Sequence, residues 1–296
     1  GETSVTVSKV WDDNNNQDGK RPSDITVKLL ADGADTGKTL VLSDGNNWTG
    51  SFTDLDEYAN GQEIVYTVAE VNVPGYTTVI TGDETTGFTI TNTHKPEVKK
   101  ITGTKSWDDN NNQDGKRPEN IKIILVVDGT KVAEQIISEE NQWTWTFDDL
   151  PIYKAGVLIN YAVQELQVPG YTSKETLNSG IVNIHAPEKT NVEVYKSWRD
   201  DSNRDGIQPS SVSVKLFATV DNGDGTTTTR TVNNGVELNA GNNWHYNFTD
   251  LPKYENGKLI TYTVDESRVP AGYTKEITQT LPNVFTIINA HEPETV

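Results

Sequence analysis

The chain has 296 residues, and 43 acidic against 25 basic residues give it a net charge of −18. This charge offers no basic surface for phosphates and would repel anionic lipid, so nucleic acid and membrane surfaces are poor partners. The absence of cysteine and methionine excludes disulfides and thiol chemistry. No apolar run is long enough to cross a bilayer.

A threefold repeat is marked by tryptophan. Trp11, Trp107 and Trp198 are 96 residues (11 to 107) and 91 residues (107 to 198) apart. An internal period of this size predicts three domains of similar length. We expect these domains to occupy residues 1–96, 97–187 and 188–296, with short proline-containing connectors between them.

The first unit predicts seven short strands. Segments rich in β-branched and aromatic residues are separated by Asn, Asp, Gly and Pro, which favour turns. The predicted strands are 5–11, 25–31, 38–43, 48–53, 63–71, 76–80 and 88–93. No window has a sustained helical period, so the pattern indicates a β-sandwich of two sheets. In the third unit, additional residues at 221–229 predict a longer hairpin.

Three polar residues of each unit fall on the apolar faces of predicted strands. Residues of one parity point the same way in a strand, so Lys9 shares a face with Val7 and Trp11. By the same alternation, Glu70 and Asn92 lie on the apolar faces of the 63–71 and 88–93 strands. The equivalent residues are Lys105, Glu165 and Asn183 in the second unit, and Lys196, Glu266 and Asn289 in the third.

Short motifs in a fixed order accompany these polar residues. They are Lys-x-Trp-x-Asp-Asp, Asp-Gly-Lys-Arg-Pro, Phe-Thr-Asp-Leu, Tyr-Thr-Val-x-Glu, Val-Pro-Gly-Tyr and Ile-Thr-Asn-Thr. Together they resemble the CnaB repeat, the B-region domain of Gram-positive surface adhesins and pilins, over nearly the whole chain. The resemblance implies an all-β protein of three tandem inverse immunoglobulin-like β-sandwich domains.

The resemblance also implies a spontaneous isopeptide bond in each domain, between a lysine of the first strand and an asparagine of the last. By position, the joined pairs are Lys9 with Asn92, Lys105 with Asn183, and Lys196 with Asn289. A nearby acid promotes the bond, and this role falls on Glu70, Glu165 and Glu266. The second unit departs most from the family pattern, because residues 180–184 replace the usual Phe-Thr-Ile-Thr-Asn-Thr.

The chemistry of such a trio can be argued from burial. Burial disfavours charge, which lowers the pKa of a lysine and raises that of a glutamic acid, so a neutral amine can coexist with a protonated carboxyl. The protonated acid can then donate a hydrogen bond to the carboxamide oxygen, which polarises the amide carbon, and transfer a proton to the departing ammonia. The structural alternative is a buried Lys–Glu ion pair supported by asparagine, which the desolvation of both charges disfavours.

A structural stalk is the function that the resemblance implies. Each bond forms once per molecule, so we expect no enzyme and no cofactor. The stalk would be extracellular, monomeric and covalently continuous with a larger surface protein that is cell-wall anchored through a region outside this chain. Host extracellular-matrix contact would come through that parent protein. The alternatives are a module that itself binds host matrix or glycan, and a pilus shaft subunit, although no Tyr-Pro-Lys pilin motif is present.

The acidic loop after each tryptophan invites comparison with a calcium-binding loop. With Gly19, Gly115 and Gly206 at the sixth position, the twelfth position holds Ile25, Ile121 and Val212 in place of the bidentate Glu. We therefore expect no metal, and interpret the Asn and Asp residues as caps of turns.

Histidine and tryptophan recur without a ligand pattern. His94, His185 and His291 each follow the proposed asparagine by two residues, and we expect them to be structural residues at strand ends. The tryptophans are predicted to pack in the cores, with a carbohydrate-binding aromatic strip as the alternative.

Overall fold

The computed structural model describes residues 1–176 and 180–296, which form β-strands and three single-turn 3₁₀ helices. No helix in this part of the chain is long and apolar enough to span a membrane. The chain divides into two compact units. One comprises Gly1–Thr102, Ile123–Gln135 and Trp145–Gln164, and the other comprises Gly103–Lys122, Ile136–Thr144 and Glu165–Val296.

The first repeat forms two sheets and a ribbon. Its strands are β1 Glu2–Asp12, β2 Asp24–Ala31, β3 Ala34–Ser43, β4 Thr49–Asp56, β5 Tyr58–Ala59, β6 Gln62–Glu63, β7 Tyr66–Glu70, β8 Thr77–Asp83 and β9 Gly87–Thr93, with a 3₁₀ turn at Asp44–Asn46. One sheet has the order β4-β1-β9-β8 and the other β3-β2-β7, while β5 and β6 form a two-stranded ribbon.

The predicted strand over 63–71 is wrong in one respect, because it is interrupted between β6 and β7. The short strand β6 turns back to pair with β5 through Asn60 and Gly61. Both residues have positive φ, at 49° and 76°, as a two-residue type I′ hairpin requires. Asn and Gly adopt this conformation at little cost, which explains why the chain makes a separate ribbon here.

The core of the first repeat is made by alternating residues of its strands. Val5 and Val7 of β1 are fully buried, as are Val27 and Leu29 of β2 and Ile90 of β9. Each fully buried Val, Leu or Ile stabilises the fold by about 1.5–3 kcal/mol relative to exposure. The same alternation carries Lys9 and Asn92 into the interior, so core packing fixes the direction of these polar side chains.

The second repeat begins with the strand β10. Its strands are β10 Val98–Asp108, β11 Asn120–Val127, β12 Thr130–Ser138, β13 Thr144–Pro151, β14 Tyr153–Lys154, β15 Val157–Leu158, β16 Tyr161–Glu165, β17 Thr172–Thr176 and β18 Gly180–Ile184, with a 3₁₀ turn at Glu139–Asn141. As in the first repeat, the first and last strands, β10 and β18, are parallel neighbours, and β17 is antiparallel to β18.

The third repeat has the same plan with longer strands. They are β19 Lys189–Arg199, β20 Ser211–Asp221, β21 Thr227–Asn239, β22 His245–Pro252, β23 Tyr254–Glu255, β24 Lys258–Leu259, β25 Thr261–Glu266, β26 Thr274–Leu281 and β27 Val284–Ala290, with a 3₁₀ turn at Ala240–Asn242. The sheets are β22-β19-β27-β26 and β21-β20-β25. The longer hairpin predicted from residues 221–229 is confirmed, since β20 and β21 are antiparallel partners as far as the pair Asp221 and Thr227, next to the turn.

Candidate lysine–glutamate–asparagine site

The parallel pairing of the first and last strands positions the candidate site. In the first repeat, Trp11 of β1 lies directly beside Asn92 of β9, and Lys9 is the preceding same-face residue of β1. Two residues of a strand span about 6.6 Å, a distance that the four-carbon lysine side chain can cover. The other repeats have the same register, with Trp107 beside Asn183 and Trp198 beside Asn289.

Each lysine and asparagine of the site is buried. Lys9 is 6% exposed and Asn92 is fully buried, and the corresponding residues of the other repeats are at most 7% exposed. Of the acids, Glu266 is buried as a whole residue, while Glu70 and Glu165 are partly buried. Polar groups enter such interiors at a cost unless they are paired, so their partners decide what the site can do.

Each asparagine amide donates a hydrogen bond to its predicted acid. The distances from Nδ2 to Oε1 are 2.8 Å for Asn92 and Glu70, 2.7 Å for Asn183 and Glu165, and 2.7 Å for Asn289 and Glu266. The structure therefore brings the acid and the amide together in all three repeats, including the second, whose last strand departs most from the family pattern. The expected bond from the acid to the carboxamide oxygen is wrong, because the amide nitrogen faces the acid.

Each lysine amine is held above the tryptophan that follows it by two residues. The amine donates to the backbone carbonyl of the next residue, at 3.0 Å in the first two repeats and 3.1 Å in the third. It also lies over the indole ring of Trp11, Trp107 or Trp198, at 3.6, 4.1 and 3.6 Å from the centroid. These contacts hold the amine at the tryptophan that lies beside the asparagine on the neighbouring strand.

The second repeat shows the trio in direct contact. Lys105 Nζ donates a short hydrogen bond to Asn183 Oδ1 and lies 3.5 Å from Glu165 Oε2. The side chains of Lys105 and Glu165 are 0% and 3% exposed. A nucleophile, an acid and an amide therefore meet in a site from which water is excluded, as reaction between the amine and the amide requires.

Burial shifts the ionisation of the site toward neutral groups. It lowers the pKa of Lys9, Lys105 and Lys196 to about 8 in each case, although the neighbouring glutamate acts in the opposite direction. Burial also raises the pKa of Glu266, against the effects of its hydrogen bond with Asn289 and of the nearby Lys196. The third repeat thus has both shifts that a neutral amine beside a protonated acid needs.

Two polar atoms of the trio remain unpaired in the first and third repeats. Within residues 1–176 and 180–296, the buried Oδ1 of Asn92 and Oε2 of Glu70 have no hydrogen-bond partner. The same holds for Oδ1 of Asn289 and Oε2 of Glu266 in the third repeat. Leaving such an atom buried and unpaired costs about 1–3 kcal/mol. A proton on the free carboxyl oxygen would remove the charge that burial penalises.

A second buried carboxylate follows the tryptophan, and the sequence did not reveal its role. Asp13 accepts hydrogen bonds from Arg21 Nη2 at 2.6 Å and from the Tyr76 hydroxyl at 2.7 Å. Burial acts to raise the pKa of Asp13, but these hydrogen bonds outweigh it and lower that pKa to about 2. Asp109, Arg117 and Tyr171 repeat the arrangement in the second repeat. In the third repeat, Asp200 keeps Tyr273 but Gln208 replaces the arginine.

The acidic loop is tied to the strand end by histidine. Asp18 Oδ2 lies 2.8 Å from His94 Nε2 and accepts from the backbone N–H of Glu97, also at 2.8 Å. The other repeats pair Asp114 with His185 and Asp205 with His291. The prediction of structural histidines is confirmed.

The caps predicted for this loop are also present. The backbone N–H of Asn16 donates to Asp13 Oδ1, and that of Arg21 donates to Asn16 Oδ1, both at 3.0 Å. These bonds confirm the interpretation of the loop as capped turns. No group of three or more His, Asp or Glu residues able to hold a metal ion occurs in the described part of the chain.

The tryptophans pack as predicted, although most are only partly buried. Trp11 and Trp48 lie against the core of the first repeat and meet edge to face, with ring centroids 5.3 Å apart. Trp198 and Trp244 do the same in the third repeat at 5.4 Å, and Trp145 is 2% exposed. The first tryptophan of each pair, Trp11 or Trp198, is the ring over which the lysine amine lies, and the second packs against it.

A further contact that the sequence did not predict joins the loop of one repeat to the ribbon of the next. The Gly156 N–H donates to the Gln17 carbonyl at 2.9 Å, and Gln17 Nε2 donates to the Tyr153 carbonyl at 3.3 Å. Gln113 of the second repeat makes the equivalent bonds with Gly257 and Tyr254 of the third repeat, at 2.9 and 3.1 Å. The sequence signal is the Gln-Asp-Gly that the first two loops share.

Three β-rich repeats, each with a lysine on the first strand, an asparagine on the last and a glutamate that accepts from that asparagine, define a class of tandem β-sandwich repeat proteins. Residues 5–93, 101–184 and 192–290 each match the family model described as Cna protein B-type domain. The chain belongs to this family, which confirms the resemblance recognised in its motifs.

Two relatives show how the chain compares with known proteins. It is 42% identical over 296 residues to a protein of Staphylococcus aureus named collagen adhesin, covering all of this chain and 24% of that protein. The chain therefore spans about a quarter of the length of this relative. A crystal structure of two B repeat units of the collagen-binding protein of Staphylococcus aureus is 41% identical, with a TM-score of 0.56, covering 98% of this chain and 76% of that one. The predicted fold class of tandem β-sandwich domains is confirmed.

Proposed function

We propose that this chain is a stalk segment of a bacterial cell-surface adhesin, in which a Lys–Asn isopeptide bond reinforces each repeat. The similarity to a collagen adhesin, of which the chain covers only part, supports a segment of a larger surface protein. On this proposal the domains are residues 1–96, 97–187 and 188–296. The parent protein is extracellular, anchored to the cell wall through another region, and makes any contact with host matrix.

The observation that carries the proposal is the contact in the second repeat. Lys105 Nζ touches the carboxamide of Asn183, while Glu165 accepts from the nitrogen that would leave. An ion pair would need only the lysine and the acid. The amide that lies between them, repeated three times, favours a reaction in which the amide is consumed.

The reaction balances without a cofactor. The neutral lysine Nζ attacks the asparagine Cγ, forming the Nζ–Cγ bond, and the Cγ–Nδ2 bond breaks. One proton passes from Nζ to Nδ2 through the glutamic acid, so that ammonia leaves and the acid is regenerated. The fold supplies proximity, which by itself can provide about 7–11 kcal/mol of the barrier for well-oriented groups.

The bond would serve a stalk because of where it lies. Lys9 is on the first strand of its repeat and Asn92 on the last, and β1 and β9 are neighbours in one sheet. Tension applied through the chain on either side of the repeat would pass through the covalent link. The hydrogen-bonded sheets would then carry little of the load.

Intact mass measured under denaturing conditions tests the proposal. The purified chain should be lighter than its sequence by three ammonia molecules, and tryptic digestion should yield three branched peptides, one for each Lys–Asn pair. A mass equal to that of the sequence would contradict the proposal.

Binding of the cross-linked chain to immobilised matrix proteins or glycans would favour the alternative of a host-binding module, which makes its own contacts rather than acting as a spacer.

A further inference from the structure

The residue opposite the asparagine on the neighbouring strand differs among the repeats. Thr78 of β8 is the direct antiparallel partner of Asn92, Ser173 of β17 that of Asn183, and Lys275 of β26 that of Asn289. Side chains of such cross-strand pairs leave the same face of the sheet, with Cβ atoms about 5 Å apart. In the first repeat, the side chain at this position is hydrogen-bonded to the amide.

Thr78 completes a closed set of hydrogen bonds with the acid and the amide. Its hydroxyl donates to Glu70 Oε1 at 2.9 Å and accepts from Asn92 Nδ2 at 3.1 Å. Asn92 Nδ2 also donates to Glu70 Oε1, at 2.8 Å. A hydroxyl has one donor and two acceptor sites, so it can make both bonds at once.

These bonds fix which way the amide faces. Asn92 Nδ2 donates toward both Thr78 Oγ1 and Glu70 Oε1, and the Thr78 hydroxyl links these two acceptors. Rotation of the carboxamide would turn its oxygen toward Glu70 Oε1, which already accepts from Thr78, so the bond from the amide to the acid would be lost. The nitrogen is thereby held at the acid that would protonate it, and the two faces of the amide carbon keep one orientation relative to Lys9.

We infer that Thr78 is a positioning residue for the cross-linking reaction of the first repeat, one that orients the leaving nitrogen of Asn92 toward Glu70. This inference rests on the proposed function. Thr78 takes no part in bond making: Lys9 Nζ still attacks Cγ of Asn92, the proton still passes through Glu70, and ammonia still leaves. The hydroxyl acts by increasing the fraction of molecules in which the amide is aligned.

The third repeat achieves the same orientation by other means. Asn289 Nδ2 donates to Glu266 and to the backbone carbonyl of Thr274, at 3.1 Å for the latter. Lys275 is drawn to Asp265, with which it forms an ion pair at 2.7 Å. A backbone carbonyl therefore replaces the hydroxyl, and cross-linking of the third repeat provides a control that is independent of Thr78.

The test measures cross-linking of the first repeat relative to the third in the same molecule. The whole chain is recovered unfolded from inclusion bodies, its uncross-linked mass is verified, and it is diluted into neutral buffer. Samples are quenched in acid over time, and the branched tryptic peptides containing Lys9 and Lys196 are quantified. The variants are Thr78→Val, which keeps the branched shape, Thr78→Ser, which keeps the hydroxyl, and Thr81→Val on the same strand.

The Thr78 hydroxyl makes two hydrogen bonds, and each hydrogen bond contributes modestly. Thr78→Val should therefore slow formation of the Lys9–Asn92 cross-link about 5- to 10-fold relative to formation of the Lys196–Asn289 cross-link. Thr78→Ser should recover most of the rate, and Thr81→Val should match the parent. Equal rates for Thr78→Val and the parent would overturn the inference, as would Thr78→Ser being as slow as Thr78→Val. Absence of all three bonds in the parent would overturn the proposed function and the inference with it.

A folding defect is separated from a positioning effect by a second measurement. Lys9→Ala and Lys9→Ala/Thr78→Val cannot cross-link the first repeat, so their thermal unfolding reports only the noncovalent fold. We expect similar unfolding temperatures for the two proteins. A slowed reaction together with a large loss of stability in the double variant would assign Thr78 a merely structural role and overturn the inference.

Discussion

Trp11 and Asn92 are direct neighbours across the parallel strands β1 and β9. This one pairing explains why the lysine precedes the tryptophan by two residues in every repeat. The intervening distance is covered by the lysine side chain, and the indole forms the surface over which the amine lies. A shift of one residue in register would turn Asn92 away from the interior and separate the trio.

Loss of the first cross-link should lower stability strongly. The Lys9–Asn92 bond would close a segment of 83 residues (9 to 92). By the chain-entropy estimate for disulfides, such a link restricts the unfolded state by about 4.5 kcal/mol. At roughly 4–8 °C per kcal/mol for a domain of this size, Lys9→Ala should lower the unfolding temperature of the first repeat by on the order of 20 °C.

Scanning calorimetry and single-molecule pulling measure this effect. Under force, the Lys9→Ala chain should lengthen by most of the contour length of one repeat, whereas the parent should extend little. Lys28→Ala is a suitable control because Lys28 is an exposed lysine of the same repeat. Equal extension of the parent and Lys9→Ala would remove the mechanical basis for a stalk.

Replacement of each acid by its amide should block one bond. Glu70→Gln keeps the shape of the side chain but cannot relay a proton, so the chain should lose two ammonia molecules instead of three. Glu165→Gln and Glu266→Gln should each have the same effect in their own repeats. Glu63→Gln, at an exposed position of β6, should leave all three bonds intact. A full loss of three ammonia molecules from Glu70→Gln would show that this acid is not needed.

Cross-linking should accelerate as pH rises toward about 8. Burial lowers the pKa of Lys9, Lys105 and Lys196 to about 8. Only the neutral amine attacks, and its fraction falls about tenfold for each pH unit below the pKa. Refolding the unfolded chain at several pH values, with ammonia loss followed by mass, measures this profile. A rate that keeps rising toward pH 10.5 would indicate a lysine with an unshifted pKa.

The His94–Asp18 pair should make the first repeat less stable at alkaline pH. The hydrogen bond to Asp18 raises the pKa of His94 above its ordinary value. A raised folded pKa means that this stabilisation is fully present below about pH 6.5 and is lost as the pH rises through the folded value. In a Lys9→Ala background, the unfolding temperature should fall between pH 6 and pH 8.5, and His94→Gln should reduce that fall. An unchanged fall in His94→Gln would assign the pH dependence to other groups.

The close approach of Gly19 to Gly156 should be intolerant of a side chain. A methyl group on Gly19 would lie 2.8 Å from the Gly156 Cα, and φ of Gly19 is 70°. Gly19→Ala should therefore increase the rate of tryptic cleavage in the connector at residues 95–100, because it separates the loop from the ribbon that it contacts. Gly33→Ala is the matched control, since φ there is 83° but no atom of the described residues lies within 4 Å of the added methyl. Equal cleavage rates in the two variants would attribute the effect to backbone strain alone.

The sequence by itself determined the repeat, the all-β class and the nine residues of the candidate site. These follow from local patterns: strand alternation fixes the face on which Lys9, Glu70 and Asn92 lie, whatever the strands pair with. The threefold recurrence separates these residues from accidental polar substitutions in a core. The turn at Asn60-Gly61 is also a local feature, because both residues adopt positive φ readily. The sequence did not predict that the strand over 63–71 is interrupted between β6 and β7.

Only the tertiary structure decided which strands are neighbours and in what register. The parallel pairing that sets Asn92 beside Trp11 and the bond from Tyr76 to Asp13 join residues distant in sequence, and the hydroxyl of Thr78 lies opposite the amide on a neighbouring strand. No local pattern encodes such contacts, because a strand exposes the same alternation to any partner. The packing of two apolar faces selects the pairing, and the polar partners of the site follow from that selection.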